Sequence, residues 1–195
     1  FMMTFTTRTH HGGEFGALDF MSVLKASQAL SGNIELDKLL ADLMRIILEN
    51  AGAEEGCLIL ARRGQWCIEA AGKMGKDGAT VTVLQALPVS SNQLPMGIIH
   101  YVLNMQDSVV LNDAVHEGDF TKDPYLVNRQ PKSVLCSPLL NQGKLQGLLY
   151  LENNLTTGAF TLDRIQVLGL LSTQAAISIE NASLYGHQIE LKDSY

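Results

Sequence analysis

SVLCSPLLNQGKLQGLLYLENNLTTGAFTLDRIQVLGLLSTQAAISIENASLY, residues 133–185 of a 195-residue chain, is the stretch whose reading decides the fold. Ser133 to Leu140 and Leu145 to Glu152 are short apolar runs bounded by turn residues. Asn141-Gln142-Gly143-Lys144 between them supplies the flexible turn of a hairpin, so the stretch opens with two antiparallel central strands. After Thr156-Thr157-Gly158, Thr161 can cap a helix in which Ile165, Leu168, Ala175, Ile179 and Ala182 recur every three or four residues. That helix has one apolar stripe to lay on a sheet.

Upstream, Leu18 to Leu30 is a helix candidate closed by Ser31-Gly32-Asn33. A stronger one follows, with Leu36, Leu39, Leu40, Leu43, Ile46 and Ile47 on one face and Asn50-Ala51-Gly52 at its end. Gly56 to Ala61 and Gln65 to Ala71 read as a hairpin turned by Arg62-Arg63-Gly64, and Ala79 to Ala86 as a third strand. Pro95 fits the first position of a helix running to Met105, and Ser108 to Leu111 is a short strand. From Asn112 to Lys132 the pattern lapses, apart from a short helix at Tyr125 to Arg129. A long irregular segment in a compact domain reads as a ligand cover. Strands packed against helices in this order give an α+β fold.

A formal charge of -6 and a pI near 5.3 leave no electrostatic footprint for nucleic acid or an anionic membrane. No apolar run reaches the roughly 18 residues of a membrane span, and residues 1–20 lack a signal-peptide core, so a cytoplasmic setting is expected. Three cysteines do not make a disulfide framework. With Arg63-Gly64 as turn centre, Cys57 falls opposite Ala70 and Cys67 opposite Leu60, which puts the sulfurs on opposite faces of the sheet and leaves free thiols. The five histidines and three cysteines show no metal-ligand spacing, so no metal is expected.

Ala51-Gly52-Ala53, Leu111-Asn112-Asp113-Ala114, Asp123-Pro124-Tyr125, Gly147-Leu148-Leu149-Tyr150-Leu151-Glu152-Asn153, Phe160-Thr161 and Ala182-Ser183-Leu184-Tyr185 together resemble the GAF sensor family, over about Leu18 to Tyr185. They look in particular like the GAF unit of large cyanobacterial-type multi-sensor kinases. In those bacterial proteins a Ser/Thr-kinase-like and an ATPase-like part precede the GAF unit and a histidine kinase follows. The resemblance implies a six-stranded antiparallel sheet with N- and C-terminal helices on one face and a pocket, covered by a helix and loop, on the other. It implies a homodimer through the terminal helices and signalling to kinase domains of the same polypeptide. On this reading residues 1–17 are a flexible lead-in, 18–187 the domain and 188–195 a linker toward an output domain.

The better-defined ligands of that family fit poorly. Bilin-binding members attach the chromophore through a cysteine near the covering helix, and Asn112 to Lys132 holds none. Cyclic-nucleotide-binding members carry Asn-Lys, then Phe, three residues and Asp-Glu. Here Asn153-Asn154 and Phe160-Thr161-Leu162-Asp163-Arg164 depart in lysine, spacing and glutamate. Members that reduce methionine sulfoxide need a thiolate in the covering region, where this chain has Met96-Gly97, so the domain itself is not expected to be an enzyme. The candidate ligand residues are Asn112, Asp113, His116, Tyr125, Arg129, Cys136, Tyr150 and, from the first hairpin, Trp66. Arg129 could clamp an anion bidentately or stand solvated in its loop. Asn112-Asp113 could form only a turn, and Cys136 is either a small buried apolar residue or a redox-sensing thiol. The expected function is a regulatory sensory domain with small-molecule or redox input. The alternative is a ligand-free dimerisation and relay module.

Overall fold

A computed structural model describes residues 36–192; the expected lead-in and the expected helix over Leu18 to Leu30 lie outside the described residues. Helix α1 (Leu36–Ala51) buries Leu39, Leu40, Leu43, Met44, Ile47 and Leu48, a stripe that repeats with the helical period. Gly52, at φ 72°, turns the chain from this helix into the sheet.

Six strands follow: β1 (Glu55–Arg62), β2 (Gln65–Gly75), β3 (Gly78–Pro88), β4 (Val109–Leu111), β5 (Ser133–Asn141) and β6 (Lys144–Asn153). They form one antiparallel sheet in the order β3-β2-β1-β6-β5-β4. The β1–β2 and β5–β6 hairpins both close on two residues of positive φ, Arg63-Gly64 and Gln142-Gly143, the backbone that matches the twist of the flanking strands. Helices α2 (Met96–Met105) and α3 (Pro124–Arg129) lie between β3 and β5 in the chain, and α4 (Leu162–Lys192) closes it. This is the α+β arrangement expected.

The sheet separates two cores. On one side α1 and α4 pack through Leu40, Met44, Leu168, Ala175, Ala176 and Ile179 onto Leu58, Leu60, Leu149 and Leu151. On the other, Ile98, Ile99 and Val102 of α2 and Leu126 of α3 pack onto Ile59, Val134, Cys136 and Leu148. Alternation along each strand sorts the side chains, so Leu149 faces the terminal helices and Leu148 and Tyr150 face the covering ones.

Two local expectations change. Cys57 stands opposite Ala71 rather than Ala70, because β2 bulges between Ile68 and Ala70, although Cys67 does face Leu60. The extra residue is Glu69, buried, whose carboxylate accepts from Arg62 Nε at 2.8 Å. Pro95 is the N-cap of α2 rather than its first residue, in an extended conformation with φ -73°. Helix α4 runs without a break to Lys192.

Gly147 lets the two central strands meet. A Cβ at this position would stand 2.5 Å from the Ile59 carbonyl oxygen and 2.5 Å from Leu60 Cδ2. The carbonyl is backbone at the middle of the sheet and cannot yield. Gly147→Ala is expected to destabilise the chain by about 1–3 kcal/mol, read as a lower urea midpoint; an unchanged midpoint would contradict this packing.

Candidate functional site

The covering helices are set by one side chain. Asp123 caps α3 by accepting from the Tyr125 N–H at 2.9 Å, and its second oxygen accepts from the Gly97 N–H at 2.9 Å in the first turn of α2. Asp123-Pro124-Tyr125 thereby fixes the start of α3, with Pro in its first turn. Tyr125 and Arg129 then project from one short helix, four residues apart.

Both reach Glu152, the same-face neighbour of Tyr150 on β6. Glu152 is 1% exposed. Its Oε2 accepts from the Tyr125 hydroxyl at 2.8 Å and the Tyr150 hydroxyl at 2.9 Å, and its Oε1 accepts from Arg129 Nε at 3.2 Å. The tyrosine rings meet edge to face at 6.4 Å, 85° apart. Arg129 also donates through Nη2 to Glu55 Oε2 at 2.7 Å, and Lys73 Nζ donates to Glu55 Oε1 at 2.9 Å. The buried carboxylate is thus balanced by a guanidinium, and the chain of contacts ties α3 to β6, β1 and β2.

Beside this network lies a cavity of about 290 Å³. Cys57, Ile68 and Ala71 of β1 and β2 make its floor, Leu84 and Leu87 of β3 its side, and Gln93 and Leu94 cover it from the segment entering α2. Tyr125, Tyr150, Glu152 and Glu55 form its polar end. Among the described lining residues β6 contributes Tyr150 and Glu152, β5 none, and β1 with β2 carry the floor. The cause is α2, whose Ile98, Ile99 and Val102 fill the space over β5 and leave room only over the first hairpin. Toward β3 the cavity continues into a surface groove past Lys73, Thr80 and Thr82.

Of the eight residues singled out in the sequence, Tyr125 and Tyr150 line the cavity and Arg129 stands behind its carboxylates. Cys136 is fully buried next to Tyr150 across the β5–β6 pair and does not reach the cavity. Trp66 packs at the edge of the same core, opposite Ala61. Asn112, Asp113 and His116 lie in the connection after β4, off the cavity wall. His116 Nδ1 is 3.0 Å from Asp113 Oδ1, Asp113 N donates to Glu117 Oε2, and the Asn112 carbonyl accepts from the Gly158 N–H. These contacts hold a turn. Sequence reading missed Glu152, Glu55, Gln93 and Leu94, although Leu148, Tyr150 and Glu152 alternate onto one face and a carboxylate there was the available signal.

Burial and the Glu152 charge push the Tyr125 and Tyr150 hydroxyls upward, so both stay protonated and keep donating. Burial first, then Glu152, pushes the Cys57 thiol up to about 12, and burial raises Cys136 as well. Neither thiol is a thiolate near neutral pH. Partial burial tends to raise the Glu55 carboxyl, but the Lys73 hydrogen bond and the charges of Arg129 and Lys73 outweigh it and hold Glu55 below its ordinary 4.5. A carboxyl depressed by folding stabilises the native state above its unfolded value and loses that contribution as pH falls through its folded one. The unfolding midpoint of the wild-type chain should therefore exceed that of Glu55→Gln near pH 7, with the gap closing below about pH 4.5; a gap independent of pH would remove Glu55 from the network.

Comparison with known proteins places this geometry. The family model for the GAF domain matches residues 35–179. The chain is 40% identical over 90 residues to hybrid signal transduction histidine kinase G of Dictyostelium discoideum, a stretch covering 46% of this chain and 3% of that protein. It is 27% identical over 174 residues to the peroxide stress-activated histidine kinase mak3 of Schizosaccharomyces pombe, covering 89% of this chain and 7% of that protein. This chain therefore spans only a small part of the curated relatives it matches. Among solved structures, the GAF domain from a phosphoenolpyruvate-protein phosphotransferase (ptsP) from Coxiella burnetii superposes with a TM-score of 0.66 at 18% identity, covering 88% of this chain and 98% of that one.

Proposed function

We infer from this chain, which belongs to the GAF domain family, a sensory and regulatory unit that takes a small-molecule input and passes it to a kinase in the same polypeptide. The observation that carries the reading is the cavity between sheet and cover, whose wall joins Tyr125 of α3 to Tyr150 and Glu152 of β6. A molecule seated there touches both layers and can favour one packing of them over another.

The path outward is short. Glu152 is followed by Asn153, whose Nδ2 donates to the Gly52 carbonyl at the end of α1 and whose Oδ1 accepts from the Leu155 and Thr156 N–H groups in the turn toward α4. Arg164 in the first turn of α4 packs on Gly52 and donates to the Ala159 carbonyl. A shift in β6 therefore reaches α1 and α4 through contacts already made. We propose that these helices, with the segment before α1, form a homodimer interface through which the signal leaves.

A redox input is the weaker form of this reading, because Cys57, Cys67 and Cys136 are all buried. The host we propose is a cytoplasmic multi-sensor kinase with a histidine kinase following this domain. A Ser/Thr-kinase-like part in the same host rests on the resemblance carried by Gly147 to Asn153, Phe160-Thr161 and Ala182 to Tyr185. The second reading, a ligand-free dimerisation and relay module, would have no use for an open cavity.

The test is the unfolding midpoint with a panel of nucleotides, tetrapyrroles and metabolites, run on the wild-type chain and on Ala71→Leu, which puts a larger side chain on the cavity floor. Preferential binding to the folded state raises the midpoint, by about 2.7 kcal/mol of stability at a hundredfold excess over Kd. The expected result is a shift with at least one compound that Ala71→Leu abolishes. No shift with any compound, together with Ala71→Leu more stable than wild type, would favour the relay module.

A further inference from the structure

The cavity's polar end is one-sided in its hydrogen-bonding chemistry. Among the described residues no lysine, arginine or histidine lines it, and the ionisable groups that do are Glu55, Glu152, Tyr125, Tyr150 and Cys57. Both phenol protons are committed to the same Glu152 oxygen, so what Tyr125 and Tyr150 offer an incoming group is lone pairs. The carboxylates add further lone pairs and no donor. Arg129 and Lys73 approach these carboxylates without lining the cavity, and their N–H groups point at Glu152 and Glu55. Their charges offset those of the carboxylates: Arg129 gives one hydrogen bond to each glutamate and Lys73 one to Glu55, and neither side chain lines the cavity. Among the described lining residues the spare donors are the amide NH₂ of Gln93, on the segment entering α2, whose Oε1 accepts from Ser90 Oγ, and the weak S–H of Cys57 on the floor.

The rest of the wall is apolar: Ile68, Leu84, Leu87 and Leu94, with Ala71 and Cys57 below. The volume of this part, before the groove toward β3, stands at the small end of ligand pockets and suits one ring or a short branched chain. A carboxylate or phosphate brought to the polar end would lose its water and meet oxygen acceptors without a free N–H or O–H donor to replace it. An ammonium would find acceptors on both tyrosines and both glutamates.

We propose that this cavity takes a small ligand with an apolar body and a donor-only cationic head, a primary ammonium or comparable protonated base, and rejects carboxylates and phosphates of the same size. This rests on the reading of the domain as a small-molecule sensor. It assigns Tyr125, Tyr150, Glu55 and Glu152 to the head and Ile68, Leu84, Leu87 and Leu94 to the body.

The test is calorimetric titration of the 195-residue chain at pH 7 with three probes that share one ring and differ in the head: phenethylamine, 2-phenylethanol and phenylacetate. The expected order places phenethylamine first, about tenfold tighter than phenylacetate, with its binding lost in Ala71→Leu. Amine binding that survives Ala71→Leu lies outside the cavity and overturns the proposal. Phenylacetate binding as tightly as the amine, and blocked by Ala71→Leu, overturns the head-group assignment while leaving a ligand-sensing cavity in place. Binding of none of the three at millimolar concentration overturns the proposal as well, and the panel of nucleotides, tetrapyrroles and metabolites then decides the sensor reading separately.

Discussion

A carboxylate withdrawn from water must be given hydrogen bonds or it will cost several kcal/mol, and Glu152 is withdrawn almost completely. Its partners come from three places: Tyr150 two residues earlier on the same strand, Asn154 two residues later, and Tyr125 and Arg129 from a six-residue helix whose lone fully buried residue is Leu126. A helix that short has little cohesion of its own. What holds it over the sheet is the Asp123 cap at one end and the Glu152 clamp at the other. The cavity exists because the clamp keeps the cover at that height, with α2 packed down on the β5 side and open space left on the β1–β2 side.

The same strand serves both faces. Leu149 and Leu151 anchor the terminal helices, while Leu148, Tyr150 and Glu152 face the cover. One residue further on, Asn153 ties the strand end to Gly52 and shapes the turn toward α4. Asn153 is thus a structural fastening, its amide spent on the backbone. One strand faces the cavity on one side and the terminal helices on the other.

The architecture was legible in the sequence because hairpins and amphipathic helices announce themselves locally. Arg63-Gly64 and Gln142-Gly143 permit the positive φ that tight hairpins require, and the leucines of α1 repeat with an unmistakable period. The Cys57 register was not legible, since a bulge at Glu69 answers to a partner, Arg62, that lies across the turn. The site was half legible. Tyr125, Tyr150 and Arg129 stood out as polar groups near an apolar face, but Asn112, Asp113 and His116 stood out equally, and an irregular segment does not encode which of its residues point inward. Glu152 was overlooked as the polar end of a strand, when its alternation with Leu148 and Tyr150 already put a charge on a buried face.

The clamp can be tested where it acts. In Glu152→Leu the carboxylate is gone, Arg129 keeps only Glu55, and both tyrosine hydroxyls lose their acceptor. Hydrogen exchange at the amides of Val127 and Gln130, which bond to the Asp123 and Leu126 carbonyls, reports on α3 directly. If Glu152 holds the cover on the sheet, these amides lose protection in Glu152→Leu while the β1–β6 amides keep theirs. Unchanged protection across α3 would show that the cover stands without the clamp and would contradict the account.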